Sequence, residues 1–261
     1  MPRTRTTVTT TSRTRTRAEE QARQLAARQE AERRRKVLRA GAVVVAALVV
    51  AIVAAVVMSL SGGDDDASPA GDVVVPAAAT ADGRIAVGQA EAPVSVAVFF
   101  DYMCPFCGRF EAANSAALDR LIASGQARLD LRPMSFLDPQ SDGARFSTRA
   151  ANAVATVADG APEQVWAFHR ALFAQQPEEG TKGLSDSELA DIARGAGVPA
   201  EVVARFDDAE FTGWVADVTQ KAFEAGITAT PTVMVDGHVF TGDLYTEGPL
   251  TEAVAAAAAA K

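Results

Sequence analysis

The sequence predicts a three-layer α/β domain carried behind a single membrane-spanning helix. Three observations lead there. Ala40 to Gly63 is a stretch of 24 residues without a charge. The chain beyond it reads in the order β-α-β, a helical block, β-β, α, which suits helices layered on a mixed sheet. The only cysteines, Cys104 and Cys107, fall together where a strand pattern gives way to a helix pattern.

The charge distribution follows the apolar stretch. Residues 1–39 hold 12 Lys/Arg against four Asp/Glu, leaving 13 against 29 for the rest, so the net charge of −8 joins a basic arm to an acidic body. As a helix the uncharged stretch would extend ~36 Å at ~1.5 Å per residue, enough for a hydrocarbon core of ~30 Å. Arg33-Arg34-Arg35-Lys36 and Arg39 precede it and Asp64-Asp65-Asp66 follow. Positive-inside bias then puts a transmembrane helix within residues 40–60, the N-terminus in the cytoplasm and the C-terminal body outside it. The run is longer than the ~7–15 residues of an export signal and no clear cleavage site follows closely, so a signal-anchor in the cell membrane is expected. A twin-arginine signal at Arg34-Arg35 is a weaker alternative.

Residues 1–17 are low-complexity Thr/Arg, read as a disordered basic arm that touches anionic lipid of the bilayer; without interleaved aromatics, nucleic acid is not an expected partner. Residues 18–39 are strong helix formers. Residues 61–82, rich in Gly, Asp, Pro, Ala and Ser, read as a flexible linker to a body at 83–261.

In the body, Val94–Phe100 is an apolar, β-rich run after Pro93, suited to a central strand. Gly108 to Ser124 carries Phe110, Ala113, Ala117 and Leu121 at helical spacing, with Gly125 as a stop. Ala127–Met134 reads as a strand parallel to the first by the crossover rule. A helical block spans about 143–226, with a capping box at Ser185/Glu188, a helix closed by Gly195, and another from Phe211 to Ala225 ended by Gly226. Pro231–Val235 and His238–Phe240 flank Asp236-Gly237, a strong hairpin signal. Pro249 and Thr251 open a last helix through the alanines to Lys261.

Chemistry concentrates in Cys104-Pro105-Phe106-Cys107. A cysteine at a helix N-terminus faces unpaired backbone donors and the positive end of the dipole, which draws a thiol from about 8.5 toward ~3.5–7.5. Cys104, nearer the helix start and the more exposed, is therefore the expected nucleophile, and Cys107, one turn on and shielded, the resolving thiol. Pro105 suits the first helical turn. A zinc site would need two more ligands, and only His169 and His238 exist, without metal-type spacing. An inert bridge across two residues at a helix start is geometrically poor. No metal and no cofactor beyond a redox-active Cys104–Cys107 disulfide is expected. His169 reads as structural or exposed, His238 as surface, and Trp166 and Trp214 as core. Thr230-Pro231, between a helix stop and a strand, is a place suited to a cis bond.

Phe99-Phe100-Asp101-Tyr102-Met103-Cys104-Pro105-Phe106-Cys107, followed by Gly226-Ile227-Thr228-Ala229-Thr230-Pro231-Thr232-Val233-Met234-Val235-Asp236-Gly237, resembles the thioredoxin superfamily, and within it the DsbA-like group. The resemblance covers roughly residues 83–261. It implies a thioredoxin fold with a helical insertion at about 143–226, of which Phe168–Phe173 resembles one helix. It also implies a cis Pro231 facing Cys104, and a Thr230 backbone that pairs with substrate peptide by strand addition. The implied activity is protein disulfide oxidation, with exported cysteine-containing clients and a membrane partner that reoxidises or reduces the pair. The chain departs from the family in two places. Val98 stands where members often carry a buried acid, leaving Asp101 the nearest, and Phe106 cannot donate a hydrogen bond to the thiolate, so an intermediate potential is expected. A reductase of clients or of haem-attachment cysteines, and a redox-inactive tethered peptide-binding module, are the alternatives.

Overall fold

The computed structural model describes residues 73–261. The expected basic arm, the transmembrane helix at 40–60 and residues 61–72 of the linker lie outside the described residues.

A five-stranded mixed sheet organises the domain in the order β1-β3-β2-β4-β5. Its strands are β1 (Ile85–Val87), β2 (Val94–Phe100), β3 (Ala127–Pro133), β4 (Thr232–Val235) and β5 (His238–Val239). The central β2 runs parallel to β3, with Val98 opposite Leu131, and antiparallel to β4, with Val98 opposite Val233. Alternation along β2 buries Val94, Val96, Val98 and Phe100 on one face of the sheet, as a period of two demands. On the other face Phe99 joins Met134, Ala222 and Ile227 in a small separate cluster. Strand β1 pairs antiparallel with β3 through three residues, too short to register in the hydrophobic pattern.

Helix α1 (Pro105–Ala123) is the parallel crossover between β2 and β3, packing on β3, and α7 (Pro249–Ala259) lies against β2 and β4. Between β3 and β4 come α2 (Phe146–Gly160), α3 (Val165–Ala174), α4 (Asp186–Gly195), α5 (Ala200–Val203) and α6 (Thr212–Glu224). Small side chains set their spacing. Ala150, Ala151, Ala153, Ala155 and Ala158 make α2 almost wholly buried, so α3, α5 and α6 can all pack against it.

One boundary and one helix cap differ from what the sequence leads us to expect. The flexible linker does not run to residue 82: Val75 and Ala79 pack on the core, Ala79 bridges Ile85, and the Ala77 amide donates to Asp159 Oδ1 at 2.9 Å. The Ala-rich composition of 76–81 mimics a tether, but those small residues fit a close-packed surface. Helix α4 does form its capping box at Ser185 and Glu188, yet Gly195 is its last residue and does not cap it. Gly197, at φ +86°, takes the left-handed position, and the Val198 amide reaches back to the Ala193 carbonyl at 3.0 Å. The hairpin is as expected, with Asp236 and Gly237 both at positive φ, the type I′ geometry that matches strand twist.

Candidate active site

The cysteines sit where β2 delivers the chain into α1. Cys104 has extended backbone angles (φ −73°, ψ 115°) and is the last residue before the helix, with Pro105 opening the first turn. A strand end thus leads into the first turn of a helix, whose initial amides have no partner a full helical turn before them. From the opposite side the cis Thr230–Pro231 bond brings the Thr230 carbonyl to 3.3 Å from Cys104 Sγ. Pro231 is buried and Thr230 half-buried. Cys104 is more exposed than Cys107, but only slightly, at 4% against 1%. The surface is made by the residues between them, Pro105 and Phe106, the latter 51% exposed. Cys104 is thus almost as shielded as Cys107, less exposed than its place at the helix start suggested, with Phe106 as the exposed residue beside it.

The two sulfurs are electrically unlike. Cys104 is pulled down to about 6, chiefly by the hydrogen bond from the Cys107 thiol. Burial opposes this, while the Thr230 side chain and the amides of Cys107 and Phe106 add to it. Cys107 goes the other way: burial pushes its thiol well above the ordinary value, and the anion favoured at Cys104 pushes it further. One thiol therefore supplies a nucleophile near neutral pH while the other keeps its proton.

Three sets of side chains hold this turn; of these the sequence alone anticipated only a structural place for His169, without its partners. Asp101 is fully buried at the end of β2; its Oδ1 accepts from the Met103 amide at 2.8 Å and Ser147 Oγ at 2.7 Å, and its Oδ2 from the Leu137 amide at 2.8 Å. Burial raises its carboxyl to about 6 against those three donors. Val98 is buried in the apolar face of β2 and offers no acid there, so Asp101 is the acid that reaches the turn. An acid flanked by Phe100 and Tyr102 in an apolar run was the available signal for Asp101.

Gln176, just past α3, donates from Nε2 to the Cys104 carbonyl at 2.8 Å and the Tyr102 carbonyl at 3.1 Å. Gly108 makes room for it: a Cβ there would lie 2.1 Å from Gln176 Oε1. Nothing in the sequence singles out that glutamine. His169, expected to be structural or exposed, has no solvent exposure. Its Nδ1 lies 3.0 Å from the Tyr102 hydroxyl and its Nε2 3.1 Å from Glu111 Oε1. A single tautomer serves both bonds, Tyr102 donating to Nδ1 and Nε2–H donating to Glu111. Glu111 stands one turn after Cys107 on the buried side of α1, which was the legible clue. His238 is exposed, Trp214 is buried, and Trp166 is only half-buried, its indole N–H donating to Asp119 Oδ1 at 2.8 Å.

Together the site can take a nucleophilic thiol through a mixed disulfide to a disulfide within one turn of helix, beside the half-buried Thr230 backbone. Comparison with known proteins agrees with that chemistry. A family model described as Thioredoxin matches residues 80–253. The structure resembles MdbA, a thiol-disulfide oxidoreductase from Actinomyces oris, with a TM-score of 0.62 and 26% identity, covering 72% of this chain and 94% of that one. Disulfide bond formation protein D of Bacillus subtilis is 30% identical over 162 residues, which span 60% of this chain and 69% of that protein. The serine/threonine-protein kinase PknE of Mycobacterium tuberculosis is 31% identical over 160 residues, 59% of this chain but only 28% of the kinase. The chain belongs to the thioredoxin family, among its DsbA-like thiol–disulfide oxidoreductases.

Proposed function

We propose that this protein is a membrane-anchored oxidase of exported thiols, working outside the cytoplasm through Cys104 and Cys107. The observation that carries the reading is the asymmetry of the pair, a Cys104 thiol drawn down to about 6 beside a Cys107 thiol driven up. A client thiolate attacks Cys104 Sγ of the oxidised pair; the client–Cys104 bond forms, the Cys104–Cys107 bond breaks, and Cys107 leaves as a thiolate that takes up a proton. A second client thiolate then attacks the client sulfur and expels Cys104 as its stable thiolate. Two electrons pass from client to pair, and the client keeps the new disulfide. The Thr230 backbone receives the client segment as an added strand. A redox partner in the membrane returns the pair to the disulfide, accepting those two electrons.

Support for the anchor is the uncharged run of 24 residues behind a basic arm. Support for an exported setting is that no further cysteine exists to mispair with the active ones. One observation favours the reverse direction: Phe106 gives the Cys104 thiolate no side-chain donor, so the reduced form is less stabilised than it would be with a donor there. Trapping the resting state in cells with a thiol-alkylating mass tag decides between them. A mostly oxidised pair is the expected result, and a mostly reduced pair establishes a reductase instead. Cys104→Ser is expected to abolish exchange; retention of exchange by that variant would remove Cys104 from the nucleophile's role.

A further inference from the structure

Phe106, the exposed residue between the cysteines, is one side of an aromatic and cationic cluster. The Arg109 guanidinium lies 5.7 Å from the Phe106 ring centre and 4.4 Å from that of Tyr245, and the two rings are 6.2 Å apart. Tyr245 is not on a loose loop. Asn114, buried on α1, donates to the Leu244 carbonyl at 2.8 Å, the Tyr245 amide donates to Asp243 Oδ1 at 2.8 Å, and Arg120 pairs with Glu247 at 2.9 Å. The cluster is therefore preformed, with Phe106 and Arg109 on the first turns of α1 next to Cys104 and Tyr245 fastened beside them.

Arg109 is exposed and makes no ion pair among the described residues, although residues 73–261 carry 25 Asp/Glu against 13 Lys/Arg. Arg84, which is half-buried, and the exposed Lys182 also lack an ion pair among the described residues, and neither adjoins the cysteine pair in sequence. The Asp243 carboxyl is held low by the Tyr245 amide and the Thr246 hydroxyl, which occupy both its oxygens, with Arg109 nearby adding to the effect. The Arg109 N–H groups make no hydrogen bond or ion pair among the described residues, which leaves the fork that holds a carboxylate in two bonds available. Arg109 stands five residues beyond Cys104, about 7.5 Å along a helix rising ~1.5 Å per residue. An extended client at ~3.4 Å per residue covers that span in about two residues.

We propose that Phe106, Arg109 and Tyr245 form a specificity platform, selecting client segments that carry an acidic side chain about two residues from the reacting cysteine. The proposal deepens the thiol-exchange reading and rests on it. The client's carboxylate meets the Arg109 fork while its neighbouring apolar groups cover Phe106.

The test uses the full oxidised chain and single-cysteine peptides identical except for Glu, Gln or Lys two positions from the cysteine. Mixed-disulfide formation is followed by mass, with dithiothreitol as an uncharged reductant. The expected result is a Glu peptide reacting about threefold faster than the Lys peptide at low salt, the size of an exposed ion pair, with the ratio shrinking toward one as salt rises to ~1 M. In Arg109→Glu the ratio should invert, and in Arg109→Gln it should fall to near one; each ratio is internal to one protein, so a loss of folded material does not affect it. A wild-type protein that oxidises dithiothreitol yet reacts equally with all peptides, or an Arg109→Glu protein that keeps the Glu preference, overturns the platform alone. A protein that oxidises neither dithiothreitol nor peptide overturns the thiol-exchange reading and the platform with it.

Discussion

Gln176 reaches from the end of the third helix to the carbonyl of Cys104, at 2.8 Å across 72 residues of sequence. The helical insertion therefore contributes directly to the active turn, through a side chain whose second hydrogen takes the Tyr102 carbonyl. Removing it in Gln176→Ala should cost about 1–2 kcal/mol, since the Tyr102 carbonyl is left without that donor.

Gly108 is the complement of that contact. Alanine normally favours a helix interior over glycine by about 1 kcal/mol, but a Cβ here would lie 2.1 Å from Gln176 Oε1. Gly108→Ala should therefore destabilise the wild-type protein and stabilise the Gln176→Ala protein. Urea midpoints for the four members of this cycle check the change of sign, and additive effects would exclude the coupling.

Asp101 makes stability depend on pH in an unusual sense. Its carboxyl is raised from 3.8 to about 6 by burial, so between those values the folded chain holds a proton that the unfolded chain has released. This contribution to stability is complete below the unfolded value, declines as pH rises through the window and is gone above about 6, a change of up to roughly 3 kcal/mol. Asp101→Asn removes the titration. Wild type minus variant, from urea unfolding between about pH 4 and 7, should fall with pH over this window and flatten above it. A difference that rises with pH would contradict the assignment.

Phe106 tunes the pair by omission. Cys104 is drawn to about 6 by Cys107, Thr230 and backbone amides, with nothing from the Phe106 side chain. The disulfide should accordingly have a potential between about −270 mV and about −120 mV, the values of thioredoxin and DsbA. Phe106→His adds a donor beside the thiolate; because the position is 51% exposed, the fold should tolerate it. Equilibration against glutathione should show the variant to be more oxidising, with a lower Cys104 midpoint in alkylation. An unchanged potential would mean that backbone donors alone set the thiolate's stability.

The parts of this architecture readable in the sequence are those with local causes. The apolar run Val94–Phe100, the Asp236-Gly237 turn and the Ser185/Glu188 box each announce themselves within a few residues, and each forms as expected. The cysteine pair and the Thr230-Pro231 step, 126 residues apart, met through the resemblance of two motifs, because no local rule joins them. Strand β1 was too short to show a period, and the segment at 75–82 was mistaken for a linker because alanine serves both a tether and a tight contact. The polar supports were least legible. Asp101, His169 and Gln176 acquire their roles only from partners brought by distant elements, and their identities alone do not reveal which donors await them.

The central claim is that one thiol of the pair is a nucleophile near neutral pH and the other is a shielded, protonated thiol. Iodoacetamide labelling of the reduced protein, with the two sulfurs distinguished by fragmentation of the tryptic peptide, measures this directly. Cys104 labelling should rise with pH through a midpoint of about 6 and then level, while Cys107 stays unlabelled until well above the ordinary thiol range. Equal labelling of both sulfurs with a shared midpoint near about 8.5, the free-thiol value, would contradict it.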